Sequence, residues 1–193
     1  RKGDLAKALE YIQKSLKMFV TLGQKLAVAA SLGNLGEIYW QQGEPKKALV
    51  FLKRSLKLAQ EMGNGQYISN AIFYLILIAI ENNDIDEANR YLKKLREFDK
   101  YEASKLINQK RKIAEALLLK KGKKIRNRLQ AEELLKKVIS EGIVNYQLNV
   151  IALLNLCELL LMELRATGGD KEIFNEVVEL IDRLFEIAKN QNS

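Results

Sequence analysis

Three near-copies of one segment recur at a spacing of forty residues, and that period constrains the fold more than any other feature of the chain. They read GDLAKALEYIQKSL (3–16), GEPKKALVFLKRSL (43–56) and NDIDEANRYLKKL (83–95), with Ala8, Ala48 and Ala88 in register. The first two share six identities in fourteen positions, and most other differences are mild, such as Asp4/Glu44, Tyr11/Phe51 and Lys14/Arg54. A fixed period of this size builds stacked supersecondary units, each burying its face against the next, in place of one closed core. Chains of that kind make binding surfaces far more often than they make reactions.

Within each copy the apolar residues fall at offsets 0, 1, 4, 7 and 8, the stripe of an amphipathic helix. Ala8, Leu9, Ile12 and Leu16 correspond to Ala48, Leu49, Leu52 and Leu56, with Ser15 and Ser55 at the seventh offset. The third copy runs Ala88, Leu92, Leu95 and breaks at Arg96; the pattern returns from Ala131 and from Val177. These are five equivalent helices of one type, B. Four helices of a second type, A, lie between them. SLGNLGEIY (31–39) aligns with ALLNLCELL (152–160), and Asn70–Ile80 and about 105–121 supply the other two. Glycines punctuate the turns at Gly3, Gly43 and Gly122 before B helices and at Gly23, Gly63 and Gly142 before A helices, where a left-handed residue ends a helix cheaply. The predicted order is B-A-B-A-B-A-B-A-B, nine helices and no sheet.

The A–B unit resembles the tetratricopeptide repeat. The resemblance rests on Leu35, Gly36 and Tyr39 on helix A and Ala48, Leu52 and Ser55 on helix B. It extends over essentially the whole chain and is strongest in the second repeat. Ile76 and Ala79 replace the small residue and the tyrosine in the third repeat; Cys157 and Leu160 do so in the last. The forty-residue period is similar to the kinesin-light-chain subclass and to the repeats of large prokaryotic regulators. The resemblance implies an all-α, right-handed superhelical solenoid of antiparallel helix pairs, occupying 1–193 as a single solenoid. Its parts fall at about 1–23, 24–63, 64–103, 104–142 and 143–193. The chain opens on Arg1 with the second half of a repeat, so the simplest expectation is a piece of a longer protein.

Composition removes several classes of function. With no histidine, the chain lacks the usual general base, metal ligand and pH switch. With one cysteine it can form no intrachain disulfide, which fits a reducing, cytoplasmic setting. Cys157 has no histidine to activate it and stands at a small-residue position on an A helix, where packing is the expectation. The expectation is therefore a chain that is not an enzyme and carries no metal and no cofactor. The longest apolar run, Ala71–Ile80, is too short to cross a bilayer. Gly63-Asn64-Gly65 reads as a turn and lacks the lysine-hydroxyl pair of a phosphate loop. Asp170, after Gly168 and Gly169, reads as the N-cap of the last helix.

The resemblance implies that the A helices line a concave face where peptides dock, so the expected function is a protein–protein or protein–peptide interaction scaffold. Asn34 and Asn155 hold the position from which related repeats hydrogen-bond a peptide backbone; the alternative is that they cross-link neighbouring A helices. Glu37 and Glu158 share that face, followed by Trp40 and Gln41. Asn70, Phe73, Tyr74 and Leu77 complete the predicted groove. Residues 71–80 (AIFYLILIAI) are apolar on every side, and such a helix requires cover on every side. A partner helix, missing repeats or a second copy of the chain, or closure of the groove on itself would each provide it.

Charge is uneven. Between Lys93 and Lys137 sixteen Lys/Arg face six Asp/Glu, a net of +10 in a chain of net +8. The densest run is KKGKKIRNR (120–128), with Lys120, Lys121, Lys123, Lys124, Arg126 and Arg128 forming a basic patch at the fourth A–B turn. Such a turn suits solvent, an acidic partner, nucleic-acid phosphates or an anionic membrane surface. Nucleic acid is the weaker choice, because no aromatic residue is interleaved to stack on bases. Alternative functions are therefore a regulatory or sensor module whose basic repeat contacts nucleic acid or an acidic partner, and a self-association module forming a homo-oligomer.

Overall fold

The computed structural model of the chain describes residues 2–102, 104–122, 124–142 and 144–190, with backbone only for 2–5 and 190. Among these residues there are nine α-helices and no strand: α1 Lys2–Thr21, α2 Lys25–Gln41, α3 Pro45–Glu61, α4 Gly65–Glu81, α5 Ile85–Tyr101, α6 Lys105–Lys120, α7 Ile125–Ser140, α8 Tyr146–Thr167 and α9 Lys171–Asn190. The odd-numbered helices are the B type and the even-numbered helices the A type. The fold is an all-α stack of helical repeats. It divides into two compact units, Arg1–Ile107 and Asn108–Ser193.

In the first unit consecutive helices pack on one another, and α2 also packs directly on α4. One turn geometry is repeated four times. Gly23, Gly43, Gly63 and Asn83 adopt φ of 66°, 73°, 63° and 58°. In each turn the next N–H reaches five residues back, as in Gln24 to Phe19 (3.0 Å), Glu44 to Tyr39 (2.9 Å), Asn64 to Ala59 (3.0 Å) and Asp84 to Ala79 (2.8 Å). This closing bond satisfies carbonyls that the helix end would otherwise leave bare. Asparagine is the residue after glycine that tolerates the left-handed region best, which explains Asn83. Two expected glycines behave differently. Gly3 lies inside α1, and Gly122 does not take a positive φ. Side-chain caps begin α4, α5, α8 and α9, from Asn64, Asp84, Asn145 and Asp170 respectively.

The small residues of the repeat account for the close approach of α2 and α3. A Cβ on Gly36 would lie 2.5 Å from Leu52 Cγ, and Leu52 is wholly buried. Tyr39 stacks on Phe51 with ring centroids 5.3 Å apart, and Ser55 Oγ donates to the Ala29 carbonyl at 2.8 Å. The serine hydroxyl is thus buried with a partner, as burial of a polar group requires. In α4 every residue from Ala71 to Ile80 is buried. Cover for that helix comes from the chain itself, through α2, α3 and α5 among its neighbours.

In the second unit α7 packs on α8 and α8 on α9. Gln109 of α6, fully buried, donates from Nε2 to the Gly142 carbonyl (2.9 Å) and accepts at Oε1 from Val144 N–H (3.2 Å). Lys112 pairs with Glu141 at 2.8 Å. By length and composition α8 alone among the described helices is able to cross a bilayer. Its apolar residues have another use here: Leu148, Ala152, Leu153, Leu156, Cys157, Leu159 and Leu160 are buried.

Candidate functional site

The A helices of the first unit carry a polar and aromatic network on the face where α2 meets α4. The Tyr74 hydroxyl, deep in α4, donates to the Glu37 carboxylate of α2. Burial, followed by the nearby Glu37 charge, raises the tyrosine far above its ordinary pKa, so the hydroxyl keeps its proton. One turn on, Trp40 sets its ring 5.4 Å from Tyr74 and donates its indole N–H to Glu81 at 2.8 Å. Gln41 donates to Glu37 at 3.3 Å. Phe73 meets Tyr74 edge-on at 5.5 Å.

Exposure sorts the expected groove residues into two groups. Asn34 and Gln41 are exposed, and Glu37, Trp40 and Asn70 are half-buried. Phe73, Tyr74 and Leu77 are 0%, 3% and 4% exposed, so they form the layer beneath α2 and α4. Asn34, Glu37 and Gln41 fall at intervals of three and four residues and so share one stripe of α2. Glu37 is fixed from both sides while Asn34 stands clear.

In the second unit the equivalent positions are linked to a lysine. Lys120 at the end of α6 donates to Asn155 Oδ1 at 2.7 Å and forms an ion pair with Glu158. Asn155 in turn donates to the Ile151 carbonyl at 2.8 Å. Lys120, counted in the basic patch, and Asn155 and Glu158, counted in the groove, therefore meet as one cross-link between α6 and α8. Lys121, Lys124, Arg126 and Arg128 are exposed, and Lys123 lies outside the described residues. Cys157 is buried, and burial together with the Glu158 charge raises its thiol pKa above the ordinary value. Among the described residues no cluster of His, Cys, Asp and Glu is arranged to hold a metal ion.

Sequence reasoning missed Gln109, Lys112 and Glu81 altogether. Asn108-Gln109-Lys110-Arg111-Lys112 looks like a solvated helix face, yet Gln109 and Lys110 are buried. A polar residue whose partner lies some thirty residues away leaves no periodic signal.

Stacked helix pairs with a close small-residue seam define a helical-repeat fold. The sequence profile of the tetratricopeptide repeat matches residues 1–61, which span α1, α2 and α3. The match covers about a third of the chain, which is similar there to tetratricopeptide-repeat proteins. Repeats of this family are in general non-catalytic protein-interaction scaffolds. No curated protein sequence matches the chain.

Proposed function

We propose that the chain recognises a protein or an extended peptide through the outward stripe of its A helices, with Asn34, Glu37, Trp40 and Gln41 as the contact residues of the first unit. The observation that carries this reading is the contrast within one stripe. Trp40 and Glu37 are fixed by Glu81 and Tyr74, whereas Asn34 is exposed beside them with its amide directed to no described partner. An amide offers a donor and an acceptor at one point, which matches a peptide bond. Fixing the neighbours beforehand lowers the ordering cost of binding. Asn70 borders the stripe from α4. Phe73, Tyr74 and Leu77 act as its rigid floor, and Asn155 and Glu158 form the corresponding stripe of the second unit, tied to Lys120. The single buried thiol suits a cytoplasmic setting.

The test is a peptide library panned against the chain, followed by calorimetry with the selected peptide. Asn34→Ala with Gln41→Ala is expected to raise Kd at least about tenfold, in the range of a modest hot spot, without changing thermal stability. Unchanged affinity would remove this stripe from the interface.

A further inference from the structure

The first turns of α7 combine two kinds of exposed chemistry that the A-helix stripe does not use. Ile125 is 75% exposed and Leu129, one turn on, 55%. Around them stand Lys121, Lys124, Arg126 and Arg128, all exposed. None of the four has an ion pair or side-chain hydrogen bond among the described residues. Four other cations of this unit, Arg111, Lys112, Lys120 and Lys136, each hold a carboxylate. No ion pair among the described residues cancels the field of the four outward cations at this tip. The first carboxylate along α7, Glu132, is already engaged by Lys136 at 2.9 Å.

Helical geometry arranges these groups in order. At about 100° per residue, Leu129 lies about 40° round the helix from Ile125, and Arg128 and Arg126 lie about 60° beyond the pair on either side. The result is an aliphatic ridge between two guanidinium groups, continued by two lysines in the preceding turn. We infer that this tip is a docking surface for an anionic lipid bilayer, with Ile125 and Leu129 entering the headgroup–acyl boundary and the four cations on the phosphate and serine headgroups.

Three features favour a membrane over other polyanions. A nucleic-acid backbone would neutralise the cations but leave the aliphatic ridge in water, and no aromatic side chain stands in the patch to stack on a base. An acidic protein would need a preformed apolar pocket to receive an isoleucine so fully exposed, whereas a bilayer interface deforms around it. Clustered Lys/Arg beside exposed aliphatic residues is the chemistry of reversible interfacial binding, in which neither contribution is sufficient alone. The surface is independent of the peptide stripe, since it lies on a B helix and shares no residue with it.

The experiment is co-sedimentation of the chain with phosphatidylcholine vesicles, with and without phosphatidylserine, at several salt concentrations. Binding is expected only with phosphatidylserine, and it should weaken as salt rises. Each of Lys121, Lys124, Arg126 and Arg128 changed to Gln should lower the partition coefficient about fivefold. Ile125→Glu with Leu129→Glu should lower it at least about tenfold while helicity is unchanged, since both side chains are exposed and outside the core. Absence of binding to phosphatidylserine vesicles at low salt would overturn the inference. So would binding that is indifferent to Ile125→Glu and Leu129→Glu, because it would mark a bare polycation, and so would tighter binding to duplex DNA that is equally indifferent to them.

Discussion

Replacing Gly36 by alanine sets two effects of opposite sign against each other. Alanine is favoured over glycine inside a helix by about 1 kcal/mol, so propensity alone predicts a more stable protein. The added Cβ, however, would sit 2.5 Å from Leu52 Cγ, 2.7 Å from its Cδ2 and 3.3 Å from the Ala48 carbonyl. Leu52 is fully buried, so the side chain the new Cβ meets is enclosed. Overpacking of this kind costs about 1–3 kcal/mol, and two contacts on one enclosed side chain place it at the upper end. The expected net loss is about 2 kcal/mol. Gly33→Ala, one turn earlier, is the internal control. It has the same propensity gain but meets only the Ser55 hydroxyl, at 3.2 Å, so its net effect should be near zero. Urea unfolding followed by fluorescence reads the change locally, because the sole tryptophan, Trp40, belongs to α2 and bonds to α4. Repeat proteins do not always unfold in two states, so the midpoint reported by Trp40 is the quantity to compare. Gly36→Ala should be less harmful when combined with Leu52→Ala, which removes the obstructing atoms. If Gly36→Ala is no worse than Gly33→Ala, the close α2–α3 seam is not what excludes a side chain there.

Four further outcomes are expected. Phe73→Ala should cost about 3–5 kcal/mol and reveal itself by loss of helicity before any loss of ligand binding, because the ring is wholly buried. Asp84→Ala, which removes the cap on Glu87 N–H, should cost about 1 kcal/mol in the same urea experiment. Tyr91 is pushed up to about 12 by burial and then by Glu87, and Tyr74 is raised as well. A folded-state pKa above the unfolded value stabilises the fold fully below about pH 10, and the stabilisation declines as pH climbs from 10 toward 12. Ultraviolet titration of the tyrosines should therefore show two late-ionising groups and a stability that falls across that window. Cys157, buried with a raised pKa, should resist thiol reagents at pH 8 until the chain unfolds; rapid modification of the native protein would contradict its placement.

Helix order was readable because it rests on periodic, local signals. Alanine at offset 0, leucine at offset 4 and glycine at the turn each repeat every forty residues, and α2, Leu35, Gly36, Tyr39, Leu52 and Ser55 pack as that pattern requires. The all-round apolarity of residues 71–80 announced all-round burial, and the structure provides it from the chain's own helices. What the pattern did not carry was polar pairing across helices. Glu37 looked like an exposed groove carboxylate, yet it is the acceptor for a hydroxyl in the next A helix. Lys120 looked like one charge among six, yet it bridges to Asn155 and Glu158 on another helix. Hydrogen bonds over such separations depend on which rotamers face each other, and no sequence period encodes that. Asn83 in the place of a turn glycine was a milder case, since only the backbone conformation reveals the equivalence.

The uniformity of the first unit also makes it divisible. Helices α2 to α5 each contain seventeen residues, and their turns each carry one left-handed residue, at 23, 43, 63 and 83. Every crossing therefore hands the chain on in one orientation, so residues 24–63 behave as a cassette. A second copy spliced in after Gly63 would keep each side chain on its proper face. One residue added inside any of these helices would rotate everything beyond it by about 100° and turn buried surface outward. The helices of sixteen, twenty-two and twenty residues in α7, α8 and α9 offer no such block, so the freedom to lengthen by whole repeats belongs to the first unit.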